Sequence, residues 1–165
     1  MYLGLVWVLV SNFSTTFSVI FFAISSYSQC ISGNCNNGYG IKKYNDGTLY
    51  VGEWWNDLPS GNGTVIWPDG SIYVGDFIEG AYNGKGTHLT NQNLYIGEFK
   101  NDLPNGEGTL FINTGSMYVG GFEKGDMNGK GYFQHPDGTI EEAFWKEGKP
   151  TGKVIQEEAQ YILRK

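Results

Sequence analysis

The sequence predicts an all-β fold: an elongated antiparallel sheet of tandem β-hairpins, with a short helix allowed at the C-terminal end. Three observations carry this. Glycine accounts for 25 of the 165 residues, about 15% against an average near 7%. Aromatic residues make up 16%, so the chain is not a glycine-rich disordered linker, which would lack them. The stretch "YVGEWWNDLPSGNG" (50–63) returns two periods later as "YIGEFKNDLPNGEG" (95–108), the mark of a repeat architecture.

The chain opens without charge. All 11 Lys and Arg and all 17 Asp and Glu lie from Lys42 onward. The apolar runs "YLGLVWVLV" (2–10) and "FSVIFFAI" (17–24) are joined by "SNFSTT", and Ser26 and Ser28 stand at the −3 and −1 places of a cut before Gln29. Residues 1–28 read as a secretory signal peptide, although no basic residue precedes the apolar run. A retained membrane anchor stays open as the second reading, because residues 2–24 are long enough to span a bilayer. The expected location is extracytoplasmic (secreted or periplasmic), or membrane-anchored through residues 2–24. "SYSQC" is a poor lipobox, since Gln29 stands where a small residue should precede Cys30.

The repeat array is expected over residues 29–152. A degenerate copy at about 29–49 supplies Gly38, Gly40, Asp46 and Gly47 in phase, and Tyr27 is also in phase. Four full copies follow at 50–72, 73–94, 95–117 and 118–140. Each opens on a tyrosine (Tyr50, Tyr73, Tyr95, Tyr118), at steps of 23, 22 and 23 residues. A glycine stands two places on (Gly52, Gly75, Gly97, Gly120), and an aromatic two further (Trp54, Phe77, Phe99, Phe122). A Gly-x-Gly pair comes next: Gly61 and Gly63, Gly84 and Gly86, Gly106 and Gly108, Gly129 and Gly131. Turn phrases "PDGSI", "NTGSM" and "PDGTI" close three copies, and the second, one residue shorter, has "NQNL" instead. A worn copy at 141–152 keeps Trp145 and Gly152 in phase, while Val154 replaces the second glycine.

Strand alternation puts Tyr50, Gly52 and Trp54 on one face and Val51 and Glu53 on the other. A loop containing "NDLPSG", then a second run from Gly63 to about Trp67, has hairpin spacing. Successive hairpins adding side by side, with strands about 4.8 Å apart, would span roughly 50–60 Å. A glycine between aromatics costs about 0.5–1 kcal/mol relative to alanine. It also leaves a notch across which a ring can lie, and such ring neighbours return roughly 0.5–1.5 kcal/mol beyond their area.

This pattern resembles the MORN repeat family, whose phrase runs Tyr-x-Gly-x-Trp/Phe, then a loop, then Gly-x-Gly over about 23 residues. The resemblance covers roughly residues 33–152. It implies a repeat module, and proteins similar to this one have been proposed as membrane-surface modules or found beside separate catalytic domains.

The tail, residues 153–165, changes period. Ile155, Ala159 and Ile162 fall at i, i+4 and i+7, one face of a short helix. Such a helix would cover the last strand edge; dimer formation is the sharper alternative.

Little in the chain points to catalysis, and no cofactor or metal is expected. His88 and His135 lie two hairpins apart, roughly 19 Å by strand spacing, and read as ordinary strand residues. The Gly-x-Gly pairs lack the third glycine and the following helix of a nucleotide fingerprint. "GAYNGKG" and "GDMNGKG" are one residue short of a phosphate loop and lack its Ser or Thr. Asp69 and Asp137 precede glycine in turns, where backbone geometry wants them. Cys30 and Cys35 have no second pair to complete a zinc site, and in an exported chain they read as a disulfide. "NGT" at Asn62 is a glycosylation sequon taken as chance. The net charge of −6 provides no basic stripe for nucleic acid. The expected function is a non-catalytic scaffold binding a protein partner or itself, with membrane contact through the N-terminal segment as a further option. A phospholipid-binding module is the first alternative, and an accessory part of an enzyme system the second.

Overall fold

The computed structural model describes the backbone of residues 28–158 and the side chains of residues 28–152. The apolar runs, Ser26 and Tyr27 lie outside the described residues. Twelve strands form one open sheet: β1 (Gln29–Gly33), β2 (Gly38–Lys43), β3 (Leu49–Trp55), β4 (Leu58–Ile66), β5 (Ile72–Ile78), β6 (Ala81–Leu89), β7 (Asn93–Lys100), β8 (Leu103–Ile112), β9 (Met117–Glu123), β10 (Asp126–Gln134), β11 (Thr139–Lys146) and β12 (Lys149–Glu158). Each strand pairs with the next in sequence. Every full copy is one hairpin, from β3–β4 to β9–β10, and the worn copies make β1–β2 and β11–β12. Among the described residues there is no helix.

The expected "NDLPSG" loop is replaced by a tighter device. Only Asn56 and Asp57 join β3 to β4, with φ of 48° and 65°. Glu79–Gly80, Asn101–Asp102, Lys124–Gly125 and Glu147–Gly148 do the same in the four hairpins from β5–β6 to β11–β12, all at positive φ. Two consecutive positive-φ residues are what a two-residue hairpin turn matched to strand twist requires. The remaining loop residues belong to the second strand. Gly52 faces Gly63 and Trp54 faces Pro59, so Ser60, Gly61 and Asn62 together oppose Glu53. This bulge needs a left-handed residue, and Gly61 supplies it at φ 79°. Gly84, Gly106, Gly129 and Gly152 hold the same place, each at positive φ. The first glycine of every Gly-x-Gly therefore serves a bulge.

The acid opposite the bulge closes it. The Glu53 carboxylate accepts the Asn62 N–H at 3.1 Å, and Asp76 accepts that of Lys85 at 3.1 Å. The tyrosines act on the same residue, their hydroxyls donating to the carbonyls of Glu53, Asp76, Glu98 and Gly121 at 2.9, 3.2, 3.0 and 3.1 Å. A phenylalanine would fill the space but leave those carbonyls without that donor. Neighbouring hairpins are also stitched at their tips. The second turn residue donates its N–H to the copy before, as in Gly80 to the Pro59 carbonyl at 2.8 Å and Gly125 to Pro104 at 2.9 Å.

Between copies, Asp46, Asp69 and Asp137 accept the N–H two residues on, at 2.9 Å in each case. In the shortened second copy the Thr90 hydroxyl takes that role, accepting from Gln92 and Asn93.

The core is one layer of rings on one face. Trp54 meets Tyr50 edge-on at 4.9 Å, Tyr50 meets Phe77 at 5.1 Å, and Phe77 meets Tyr73 at 5.3 Å. The chain of contacts continues through Phe99, Tyr95, Phe122 and Tyr118 to Trp145, all at 4.9–5.3 Å. The rings zip every copy to the next by the edge-to-face geometry that aromatic quadrupoles favour. Val74 and Ile96 stand on the opposite, outer face and are exposed.

Where a short helix was expected in the tail, Lys149–Glu158 is instead β12, paired with β11 through Glu142↔Ile155 and Ile140↔Glu157. The free edge of β11 offers unpaired backbone groups, and the β-branched Val154 and Ile155 suit a strand. Ala159 and Ile162 lie outside the described residues.

Burial, with Glu98 nearby, pushes the Tyr95 phenol up to about 12, and burial with Glu107 nearby does the same for Tyr118. Tyr50 and Tyr73 are also raised, chiefly by burial. The folded chain thus holds these protons more tightly than the unfolded one, whose phenols ionise near 10. The stability this supplies is complete below that pH and is lost as pH climbs towards the folded values. Far-ultraviolet circular dichroism is expected to show an unchanged sheet up to about pH 10 and cooperative loss above it. A transition centred in mildly alkaline solution would contradict the buried tyrosine row.

Candidate functional site

What the copies share builds the sheet, so side chains that depart from the shared pattern are the ones free to serve a partner. The inner-face position at the end of the second strand or just past it runs Tyr44, Trp67, Thr90, Ile112 and His135 along the array. The second residue after the tight turn runs Pro59, Tyr82, Pro104, Met127 and Pro150. The large aromatics in these two series, Tyr44, Trp67 and Tyr82, gather in one place on the ring-bearing face.

Tyr82 stacks on Tyr73, with centroids 3.7 Å apart and planes at 12°. Trp67 stands edge-on to Tyr82 at 6.4 Å and tilted against His88 at 5.5 Å. Together with Tyr44 they wall a cleft of about 280 Å³ whose floor is Tyr50, Val65 and Phe77. Asp46, in the β2–β3 connection, lines it at one end of the strands, and Asp102, in the β7–β8 turn, lines it at the other.

Both carboxylates are fixed by backbone. Asp102 accepts the Tyr82 N–H at 2.8 Å and returns its own N–H to the Tyr82 carbonyl at 3.1 Å. Asp46 accepts from the Thr48 N–H at 2.9 Å, and hydrogen bonding by Thr48 holds its carboxyl below the usual range. Thr48 also lines the cleft, with its hydroxyl oxygen buried beside Asp46. Burial, then the adjacent carboxylates, raise Tyr82 and Tyr44. Burial lowers His88 against the opposing pull of Asp69, which suits a neutral ring among other rings.

A larger depression of about 670 Å³ lies over β8–β10. Glycines, the half-buried Asn105 and the exposed Glu107 line it, and its one departure from the repeat, Gly121 in the place of Glu53, Asp76 and Glu98, removes a side chain and adds none.

The repeat tyrosines Tyr50, Tyr73, Tyr95 and Tyr118 are buried, as are Trp54, Phe77, Phe99 and Phe122. Gly52, Gly75, Gly97 and Gly120 lie opposite Gly63, Gly86, Gly108 and Gly131, giving four facing glycine pairs beneath the rings. Cys30 and Cys35 lie at disulfide distance, with Cα atoms 5.9 Å apart, at the β1 end of the sheet. His88 is on β6, while His135 follows β10 and pairs with Glu141 at 3.4 Å. Among the described residues no group of three or more His, Cys, Asp or Glu is placed to hold a metal ion. Tyr44, Trp67 and Tyr82 carried no signal in the shared phrase. Aligning the copies and looking for large aromatics where the others have small or aliphatic residues would have found them.

A single open sheet of sequential hairpins, zipped by one ladder of rings, defines a β-hairpin repeat protein. The MORN repeat family matches residues 50–72, 73–90, 95–117 and 118–140, and the chain belongs to it. The shortened match in the second copy stops where "NQNL" replaces the usual turn phrase. MORN repeats suggest a module of protein or membrane interaction, and the family is generally non-catalytic. No curated protein matches the chain. Among solved structures it is similar to the TCP domain of SAS-4 (dCPAP) from Drosophila melanogaster, determined in complex with a proline-rich motif of Ana2 (dSTIL). That likeness has 12% identity, covers 90% of this chain and 97% of that one, and has a TM-score of 0.35.

Proposed function

We propose that this chain is an exported or membrane-tethered, non-catalytic scaffold that binds a protein partner through the aromatic cleft of its inner face. The observation that carries the reading is the gathering of Tyr44, Trp67 and Tyr82, none of which the repeat requires, around one cavity. A concave apolar site with a few fixed polar groups is the usual form of a binding site. The Cys30–Cys35 pair at disulfide distance supports export, since disulfides persist in oxidising compartments.

One preparation tests both halves. The tagged full chain, expressed in its own cells, is cross-linked, captured and weighed without reduction. Trp67→Ser is expected to lose a protein partner that the parent chain captures. Trp55→Ser, at an exposed site on the outer face, is expected to retain it. Equal capture by both variants would remove the cleft from the function. The intact mass is expected to show an N-terminus near Gln29, or an intact Met1 in membrane fractions, with the cysteines joined. An intact Met1 with two free thiols in the soluble cytosol would end the export reading.

A further inference from the structure

We infer that the cleft takes a cationic side chain, lysine or arginine, of an extended peptide. This rests on the proposal that the inner-face cleft is the interaction site, and it names the chemistry of the occupant.

The charge of the cleft points one way. Asp46 and Asp102 line it, and no Lys, Arg or His does. Each aspartate has one oxygen engaged by a backbone N–H, which fixes the carboxylate and leaves a second oxygen for a ligand. An anion would meet two like charges. A purely apolar occupant would give neither carboxylate a partner. A cationic side chain pairs with the carboxylate it reaches and also lies against ring faces, where the aromatic quadrupole attracts it.

The chain already shows that these ring faces accept a cation. The Lys42 ammonium sits 5.5 Å from the Tyr44 ring centroid and 5.2 Å from that of Trp54. Lys42 does not line the cleft itself, and among the described residues no lysine or arginine lies over Trp67 or Tyr82. The net charge of −6 would draw in basic segments over longer range and turn away acidic ones.

The test uses the full chain and three probes: acetyl-tetraarginine amide, acetyl-tetraglutamine amide and acetyl-tetraglutamate amide. Binding is followed by calorimetry and by the indole N–H resonance of Trp67, identified through its disappearance in Trp67→Phe. Tetraarginine is expected to move that resonance, and the other two peptides are not. Replacing both Asp46→Asn and Asp102→Asn is expected to weaken tetraarginine about tenfold. Glu123→Gln with Asp126→Asn, the same change in net charge outside the cleft, is expected to alter it by less than about twofold. If the aspartate pair disturbs its own turns, Tyr44→Leu is expected to weaken the peptide without touching either carboxylate.

Failure to move Trp67, or equal weakening by the two charge-changing pairs, would overturn the inference. Tetraglutamine moving Trp67 as strongly as tetraarginine would also overturn it, while leaving the cleft as the interaction site. Loss of the captured partner in Trp67→Ser reports on that site independently of peptide charge.

Discussion

Phe99→Ala is expected to destabilise the protein by about 3–5 kcal/mol, the range for removing a large buried ring. Phe99 is 4% exposed and lies at the middle of the ladder, edge-on to Tyr95 at 5.0 Å in its own copy and to Tyr73 at 5.1 Å in the copy before. Its removal opens a cavity and breaks the aromatic link between the two halves of the array. In a repeat protein each unit is held by its neighbours, so a central break reduces cooperativity as well as stability. Denaturant titration should therefore show an earlier and shallower transition. Val51→Thr, half-buried on the outer face and paired with Thr64, is expected to cost less than about 1 kcal/mol. Equal losses at the two positions would show that the ring-bearing face is not the core.

That contrast between faces was legible in the residues themselves. The phased Tyr-Gly-aromatic phrase was enough for the hairpin order, the buried rows and the notch under the rings. The connection was not. "NDLPSG" reads as loop because Asn, Asp, Pro and Gly all favour turns. Two of its residues make the turn and the rest form a bulged strand, a division fixed by the ladder across to Glu53 and invisible to local preference. The tail misled in a related way. Its i, i+4, i+7 spacing fits a helix, but the edge of β11 provides a template that Val154 and Ile155 can join, and tertiary pairing prevails over periodicity. The cleft was missed for a different reason. Periodicity finds what copies have in common, whereas Trp67 and Tyr82 matter because other copies have Thr90 and Pro104 in their places.

The worn last copy gives the strongest account of why the glycines are there. At the tyrosine place it has Glu141, at the strand glycine Ala143, and at the second glycine of the pair Val154. Ring and glycines depart together. In the full copies an added Cβ at Gly108 would lie 2.6 Å from two ring carbons of Tyr95, and one at Gly97 would lie 2.6 Å from the Cα of Gly108. With Glu141 in the ring's place, Ala143 is accommodated in the buried layer at 4% exposure.

Gly108→Ala is accordingly expected to cost about 3 kcal/mol, the upper end of overpacking. The ring cannot retreat without giving up its hydrogen bond to the Glu98 carbonyl at 3.0 Å and its contacts with Phe99 and Phe122. Tyr95→Leu alone loses the same contacts and is expected to cost a similar amount. The double variant, with the ring gone and the methyl filling part of the space, is expected to cost clearly less than the two single changes added together. Denaturant titrations of the four chains give the coupling directly. Strict additivity would mean that the glycine is required by its own backbone and not by the ring above it. Ala143, tolerated where the ring is missing, argues for the ring.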